Sequence, residues 1–184
     1  MLYLGASAYA SAVVPRTPPS AGEKFGLYAY GESFGGLSLF YGDGKALIGD
    51  PANSTASTTS SVYFERTSES SDSPWVANPN GTANTNGTAH SIASWSDQML
   101  YIPSSSSSSD EMGFTSKNRS NETTTGFIFY GTWMMVELDS GDISSSFYVR
   151  ESSQGDGIYS LLWNVSDDTT AIPVSLRSVA PSNT

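Results

Sequence analysis

The most pointed group of carboxylates in this chain is Glu137-Leu-Asp139-Ser-Gly-Asp142, which follows Trp133. Two carboxyl groups held about 5–5.5 Å apart can hydrolyse a glycosidic bond with retention, one as nucleophile and the other as acid/base. On a strand, Glu137 and Asp139 share a face by the two-residue period. Asp142, five residues beyond Glu137, falls on the other face unless a β-bulge intervenes. A competing reading makes Asp139-Ser-Gly-Asp142 a hairpin turn, with Asp capping it and Gly taking the positive φ. The residue types favour the turn. His90 is the only histidine, so a Ser/His/Asp triad or a nitrogen-ligated metal site would rest on it alone; a loop histidine is the simpler reading. Asp43, Asp50 and the Asp139/Asp142 pair offer oxygen ligands to calcium, but no spacing matches a dedicated loop, and no cofactor or metal is expected.

The carboxylate run resembles the Glu-x-Asp-x-x-Glu signature of laminarinase-like glycoside hydrolases, over six residues and with Asp142 in place of the final Glu. That resemblance implies a β-sandwich enzyme with Glu137 as nucleophile, Asp142 as acid/base and Asp139 beside them. The aromatic residues are a second lead. Four Trp and ten Tyr exceed the obvious needs of a core this size, and exposed rings serve sugar-binding proteins as flat stacking platforms. Trp133 and Trp163 sit in apolar runs and are expected in the core. Trp75 in Ser73-Pro-Trp75 and Trp95 in Ser94-Trp-Ser-Asp97 flank loops and are expected to be exposed ligand contacts.

Asn-x-Ser/Thr occurs at Asn53, Asn80, Asn86, Asn118, Asn121 and Asn164, six of nine asparagines. Chance in a chain so rich in Ser and Thr gives about two to three such triplets, so the excess points to N-glycosylation and a secretory route. The first five fall in expected loops. Asn164 closes a strand and is the least suited to carry a glycan. Residues 1–12, ending Ala10-Ser11-Ala12, read as a truncated signal-peptide remnant.

The elements that must position these residues are strands. Gly, Ser, Thr and aromatics dominate the 184 residues while helix-formers are sparse. Apolar runs recur between turn residues at Phe25–Tyr30, Leu37–Tyr41, Ala46–Ile48, Val62–Glu65, Met99–Ile102, Phe127–Tyr130, Trp133–Leu138, Phe147–Arg150, Ile158–Trp163 and Val174–Val179. Asp43-Gly44 between two of them is a strong hairpin signal. The expected fold is all-β: an antiparallel two-sheet sandwich, jelly-roll or lectin-like, of about ten strands and little helix. Residues 13–24 form a Pro-rich lead-in, residues 25–181 a single domain and residues 182–184 a tail.

A formal charge of −10 and a pI near 4.2 repel phosphate backbones and anionic lipid, so nucleic acid is not an expected partner. With no cysteine there is no disulfide and no thiolate chemistry. No run reaches the ~18 apolar residues of a membrane span.

The stretches Phe25-Gly-Leu-Tyr-Ala-Tyr-Gly31 and Gly35–Asp50, with Gly157–Trp163 and Pro173–Pro181, resemble uncharacterised secreted proteins of filamentous fungi. The resemblance implies an extracellular or cell-wall-associated protein and assigns no residue a role. The leading expectation is therefore a non-enzymatic, carbohydrate-binding glycoprotein with a cell-wall polysaccharide as partner. A glycoside hydrolase and an effector or adhesion-type protein-binding surface protein are the alternatives. The sequence does not fix the oligomeric state.

Overall fold

The computed structural model describes residues 17–81, 83–85, 88–91 and 95–182, with the segments at 83–85 and 88–91 described by their backbone alone. The expected signal-peptide remnant, Asn86 and the side chain of His90 lie outside the described residues.

The strands in chain order are β1 (Tyr28–Gly31), β2 (Phe34–Gly42), β3 (Lys45–Ile48), β4 (Thr59–Arg66), β5 (Trp75–Pro79), β6 (Ala83–Thr85), β7 (Thr88–Ser91) and β8 (Gln98–Pro103). They continue with β9 (Gly113–Thr115), β10 (Glu122–Thr123), β11 (Phe127–Tyr130), β12 (Trp133–Glu137), β13 (Ile143–Ser144), β14 (Phe147–Glu151), β15 (Tyr159–Trp163) and β16 (Ile172–Arg177). Among the described residues the only helical element is a 3-10 turn at Pro51–Asn53, capped by the Asp50 carboxylate on the Ala52 amide.

Every ladder is antiparallel. From β1 the pairings run through β2, β4, β5, β8, β9, β3, β15, β14 and β16, and β16 pairs with β1 again, with Ala29 opposite Leu176. The sheet therefore closes into a ten-stranded barrel. This corrects the expected two-sheet sandwich: the first and last strands of the domain hydrogen-bond to each other, so no free sheet edges remain on this circuit to define two separate layers. The β2–β3 hairpin also pairs directly inside the circuit, and β12 and β11 extend outward from β16.

Local chemistry accounts for the turns. Asp43 at φ +49° and Gly44 at φ +86° make the two-residue β2–β3 connection, the backbone combination that matches strand twist. The Asp43 carboxylate also accepts from the Ser57 and Thr58 amides at 2.8 and 2.7 Å, fastening the hairpin tip to the entry of β4. Gly131 at φ +61° opens the Tyr130-Gly-Thr-Trp133 turn between β11 and β12.

The main core fills the barrel with Leu27, Phe64, Trp75, Leu100, Phe127, Val149, Leu161 and Leu176 among others. A small second cluster of Phe40, Leu47 and Ile158 lies on the other face of the β2–β3 hairpin. In front of β1, Gly22 N–H donates to Arg66 O at 2.9 Å and the Arg66 guanidinium donates to Pro19 O, so the lead-in is tied to the end of β4.

Candidate functional site

Trp75, expected at a loop and exposed, is instead 1% exposed. It opens β5, whose alternation turns Trp75 and Ala77 inward. The ring stacks on Phe129 at 4.6 Å and meets Phe25 edge-on at 5.1 Å. A buried ring walled by other rings offers no ligand platform, so that expectation is overturned. Trp95 is half-buried, with its ring stacked on Tyr41 at 4.2 Å.

Trp133 reverses the expectation in the other direction. In β12 the inward side chains are Met134 and Val136, so Trp133, Met135 and Glu137 share the outer face. Trp133 is 38% exposed, and across the hairpin its register partner Tyr130 is 75% exposed. Ile143, opposite Glu137 on β13, and Leu138 are exposed too. The Arg177 guanidinium lies 3.8 Å from the centre of the Trp133 ring and 4.9 Å from that of Tyr30, whose hydroxyl donates to Val179 O. One face of the indole is thus backed by a cation held in place by a second ring.

β12 leads from this aromatic pair to a cleft. Four residue steps along the strand take Trp133 to Glu137, roughly 13 Å at ~3.3 Å per step. Glu137, Leu138 and Asp139 form one wall of a cavity of about 880 Å³, and Ser104, Ser105 and Ser107–Asp110 with Asn164–Ser166 form the others. Arg150 stands in the cleft, its guanidinium donating to Asp168 at 2.7 Å and lying 3.4 Å from Asp110. The Asp168 carboxyl is held at about 2 by the Thr170 hydroxyl, then by Arg150 and the Thr170 amide. The same carboxylate reinforces the positive charge on Arg150. Glu111, next to Asp110 in the chain, accepts from Lys45 at 2.8 Å and from Ser160 at 3.0 Å. Burial alone would raise its pKa, but these hydrogen bonds outweigh burial and lower it. The cleft therefore presents fixed carboxylates, one guanidinium and a row of serine hydroxyls, groups that hydrogen-bond a polyhydroxylated ligand.

The three acids read from the sequence are only partly brought together. Glu137 and Asp139 border the cleft, whereas Asp142 belongs to the turn and not to the cleft wall. Ser140 donates to the Asp142 carboxylate at 2.9 Å, Leu138 N–H to Asp142 O at 2.8 Å, and Gly141 takes φ +84°. The turn reading of this segment is the one the geometry follows. Asp43 and Asp50 are engaged with backbone amides, and among the described residues no three His, Asp or Glu side chains converge to hold a metal ion.

Asn53, Asn80, Asn118, Asn121 and Asn164 are all exposed. Asn53 sits in the 3-10 turn, and Asn118 accepts from the Thr124 hydroxyl at 3.2 Å. Asn164 takes φ +51° on the cleft rim, where a glycan would stand over the cavity. No helix among the described residues is long and apolar enough to cross a membrane.

Sequence reasoning missed Tyr130 and Trp133. The signal was present: a two-residue turn beginning with Gly131 fixes the register, and the register places both rings on one face. No protein-family model, no curated protein and no solved structure matches the chain.

Proposed function

We propose that the protein is a non-enzymatic, N-glycosylated extracellular or cell-wall-associated protein, of the kind secreted by filamentous fungi, that binds a cell-wall polysaccharide. The observation that carries this reading is the pair of exposed rings, Tyr130 and Trp133, side by side on a strand that runs into a polar cleft. Sugar rings stack on aromatic faces through their apolar C–H surfaces while their hydroxyls need donors and acceptors nearby. Trp133 supplies the first and the cleft supplies the second. Exposure of Asn53, Asn80, Asn118, Asn121 and Asn164 supports the extracellular part of the reading, since an acceptor must be accessible to be modified.

A glycoside hydrolase is the second reading, favoured by Glu137 and Asp139 on the cleft wall and disfavoured by Asp142, which is spent on the turn. The test is retention of the purified protein on insoluble glucan, chitin and mannan, with reducing-sugar release measured in parallel. Trp133→Ala and Tyr130→Ala are expected to lose retention, and Glu137→Gln to leave a zero background of sugar release unchanged. Sugar release abolished by Glu137→Gln would establish the hydrolase. No retention on any of the three polysaccharides would sink the proposal in favour of a protein-binding surface protein.

A further inference from the structure

We infer that Arg177 is a carboxylate subsite beside Trp133, and that the polysaccharide bound there is a largely neutral chain carrying isolated uronate residues. This inference rests on the polysaccharide reading and adds the chemistry that the ligand must carry.

Arg177 is a cation without an anion. Arg66, Arg119 and Arg150 each face a carboxylate, at 3.7, 3.0 and 2.7 Å. The Arg177 side chain makes no ion pair and no hydrogen bond among the described residues. Its Nε is buried without a partner, while its terminal nitrogens are not enclosed. In a chain with 18 acidic and 8 basic side chains, an arginine left unpaired runs against the composition. Rings hold it instead: Trp133 at 3.8 Å, which is also its register partner, and Tyr30 at 4.9 Å, anchored by its hydroxyl on Val179 O at 2.8 Å. Ring contact consumes no N–H group. The guanidinium fork therefore stays available, held in one place, to a planar group with two oxygens.

The surroundings favour an anion here in spite of the net charge. Arg177 stands on a wall formed in order by β2, β1, β16, β12 and β11. In these strands the only charged residues are Arg177 and Glu137. Glu137 is four steps along β12 from Trp133, and Glu32 is four past Tyr28, the register neighbour of Arg177 on β1. Each lies roughly 13 Å away along its strand, beyond the ~8 Å screening length at physiological salt.

The exposed indole indicates what carries the anion. Arg177 backs Trp133, so a group reaching the fork hangs from a sugar stacked on that ring or from the next sugar along. A pyranose gains a planar, singly charged carboxylate when its exocyclic carbon is oxidised. A phosphate brings about two charges into the field of a chain of −10, and a polyuronate brings one on every sugar. An isolated carboxylate on a neutral chain takes the local attraction with the least long-range repulsion.

The test measures binding isotherms of the full chain on insoluble glucan, chitin and mannan at ~0.15 M salt. Each polymer is used in three forms: neutral, lightly oxidised so that a few exocyclic hydroxymethyl groups become carboxylates, and the methyl ester of the oxidised form. The oxidised form of a retained polymer is expected to bind at least about tenfold more tightly than the neutral one, the effect of one charge-assisted pair partly offset by repulsion. The ester should bind like the neutral form. Arg177→Gln is expected to bring the acid-to-neutral ratio close to one, whereas Trp133→Ala weakens binding to both. Equal binding of neutral and oxidised forms overturns the inference and leaves the polysaccharide reading standing. An acid preference that survives in Arg177→Gln, or that the ester shares, overturns it too. No retention on any form removes the polysaccharide reading itself. Should Arg177→Gln fail to fold, the comparison of acid with ester on the unmodified chain still decides.

Discussion

Replacing Trp75 and Trp133 by alanine in parallel separates the core ring from the surface ring. Trp75 is 1% exposed and touches Phe129, Phe25 and Phe127 at centroid distances of 4.6, 5.1 and 5.6 Å. Truncating such a ring leaves a cavity and removes several aromatic contacts, at a cost of about 3–5 kcal/mol. With a urea dependence of about 2–3 kcal/mol per molar, the unfolding midpoint of Trp75→Ala drops by roughly 1–2.5 M. Trp133→Ala loses its stacking with Arg177 at an exposed site, worth about 0.5–1 kcal/mol, and the midpoint moves by under ~0.5 M. Retention on polysaccharide follows the opposite order: it is lost with Trp133→Ala and kept by the folded fraction of Trp75→Ala. The assay is a urea titration by intrinsic fluorescence together with pull-down on insoluble glucan, chitin and mannan. A Trp75→Ala protein with an unchanged midpoint but lost retention would refute both assignments at once.

Acid should weaken the fold through Asp168, whose carboxyl is held at about 2 against an ordinary 3.8. The folded pKa lies below the unfolded one, so the stabilisation is complete above about pH 4 and disappears as pH falls through 2. Urea midpoints measured from pH 5 to 2 should flatten over that window in Asp168→Asn, and an unaltered slope would show that Asp168 is not the group responsible. Gly126→Ala should destabilise by about 1–3 kcal/mol, because φ is +88° and the added carbon would lie 2.7 Å from Glu137 O; an unchanged thermal midpoint would contradict this. Mass spectrometry of the protein made in a glycosylating host should find sugar at the exposed Asn53, Asn80, Asn118 and Asn121, and a uniformly bare chain would contradict the extracellular reading.

What could be read from the sequence is what depends on neighbours in the chain. The Asp43-Gly44 hairpin and the Asp139-Ser-Gly-Asp142 turn are set by residues that accept positive φ, and both form where those residues stand. Phe127–Tyr130 is a strand with the expected bounds. β5 escaped notice because Trp75 follows Ser-Asp-Ser-Pro, a breaker pattern that hides the first residue of a strand, and this also made the tryptophan look solvent-facing. Trp133 was misplaced because Trp133–Val136 is apolar throughout, so alternation cannot tell inside from outside. Only pairing with β11 decides which two of the four turn inward. Barrel closure is the least legible feature. It rests on Tyr28, Ala29 and Tyr30 meeting Arg177, Leu176 and Ser175 from the far end of the domain, and no local pattern encodes that meeting. The cleft has the same origin, since Asp110, Glu137, Arg150 and Asn164 come from four separate segments.

That closure also sets an order of events during synthesis. β2 and β3 are adjacent in the chain, as are β4 and β5, and these pairs can form as soon as the ribosome releases them. β1 is among the first strands made, yet the partner for its second edge is β16, made last. Until residue 177 emerges, the nascent chain carries β1 and β14 with one side unpaired, both bordering a half-filled core. A chain that has emerged only as far as Ile172 thus has most of its hairpins in place and two sticky seams. Shielding of those seams by chaperones should matter more to the yield of this protein than the strength of any single contact in the finished barrel.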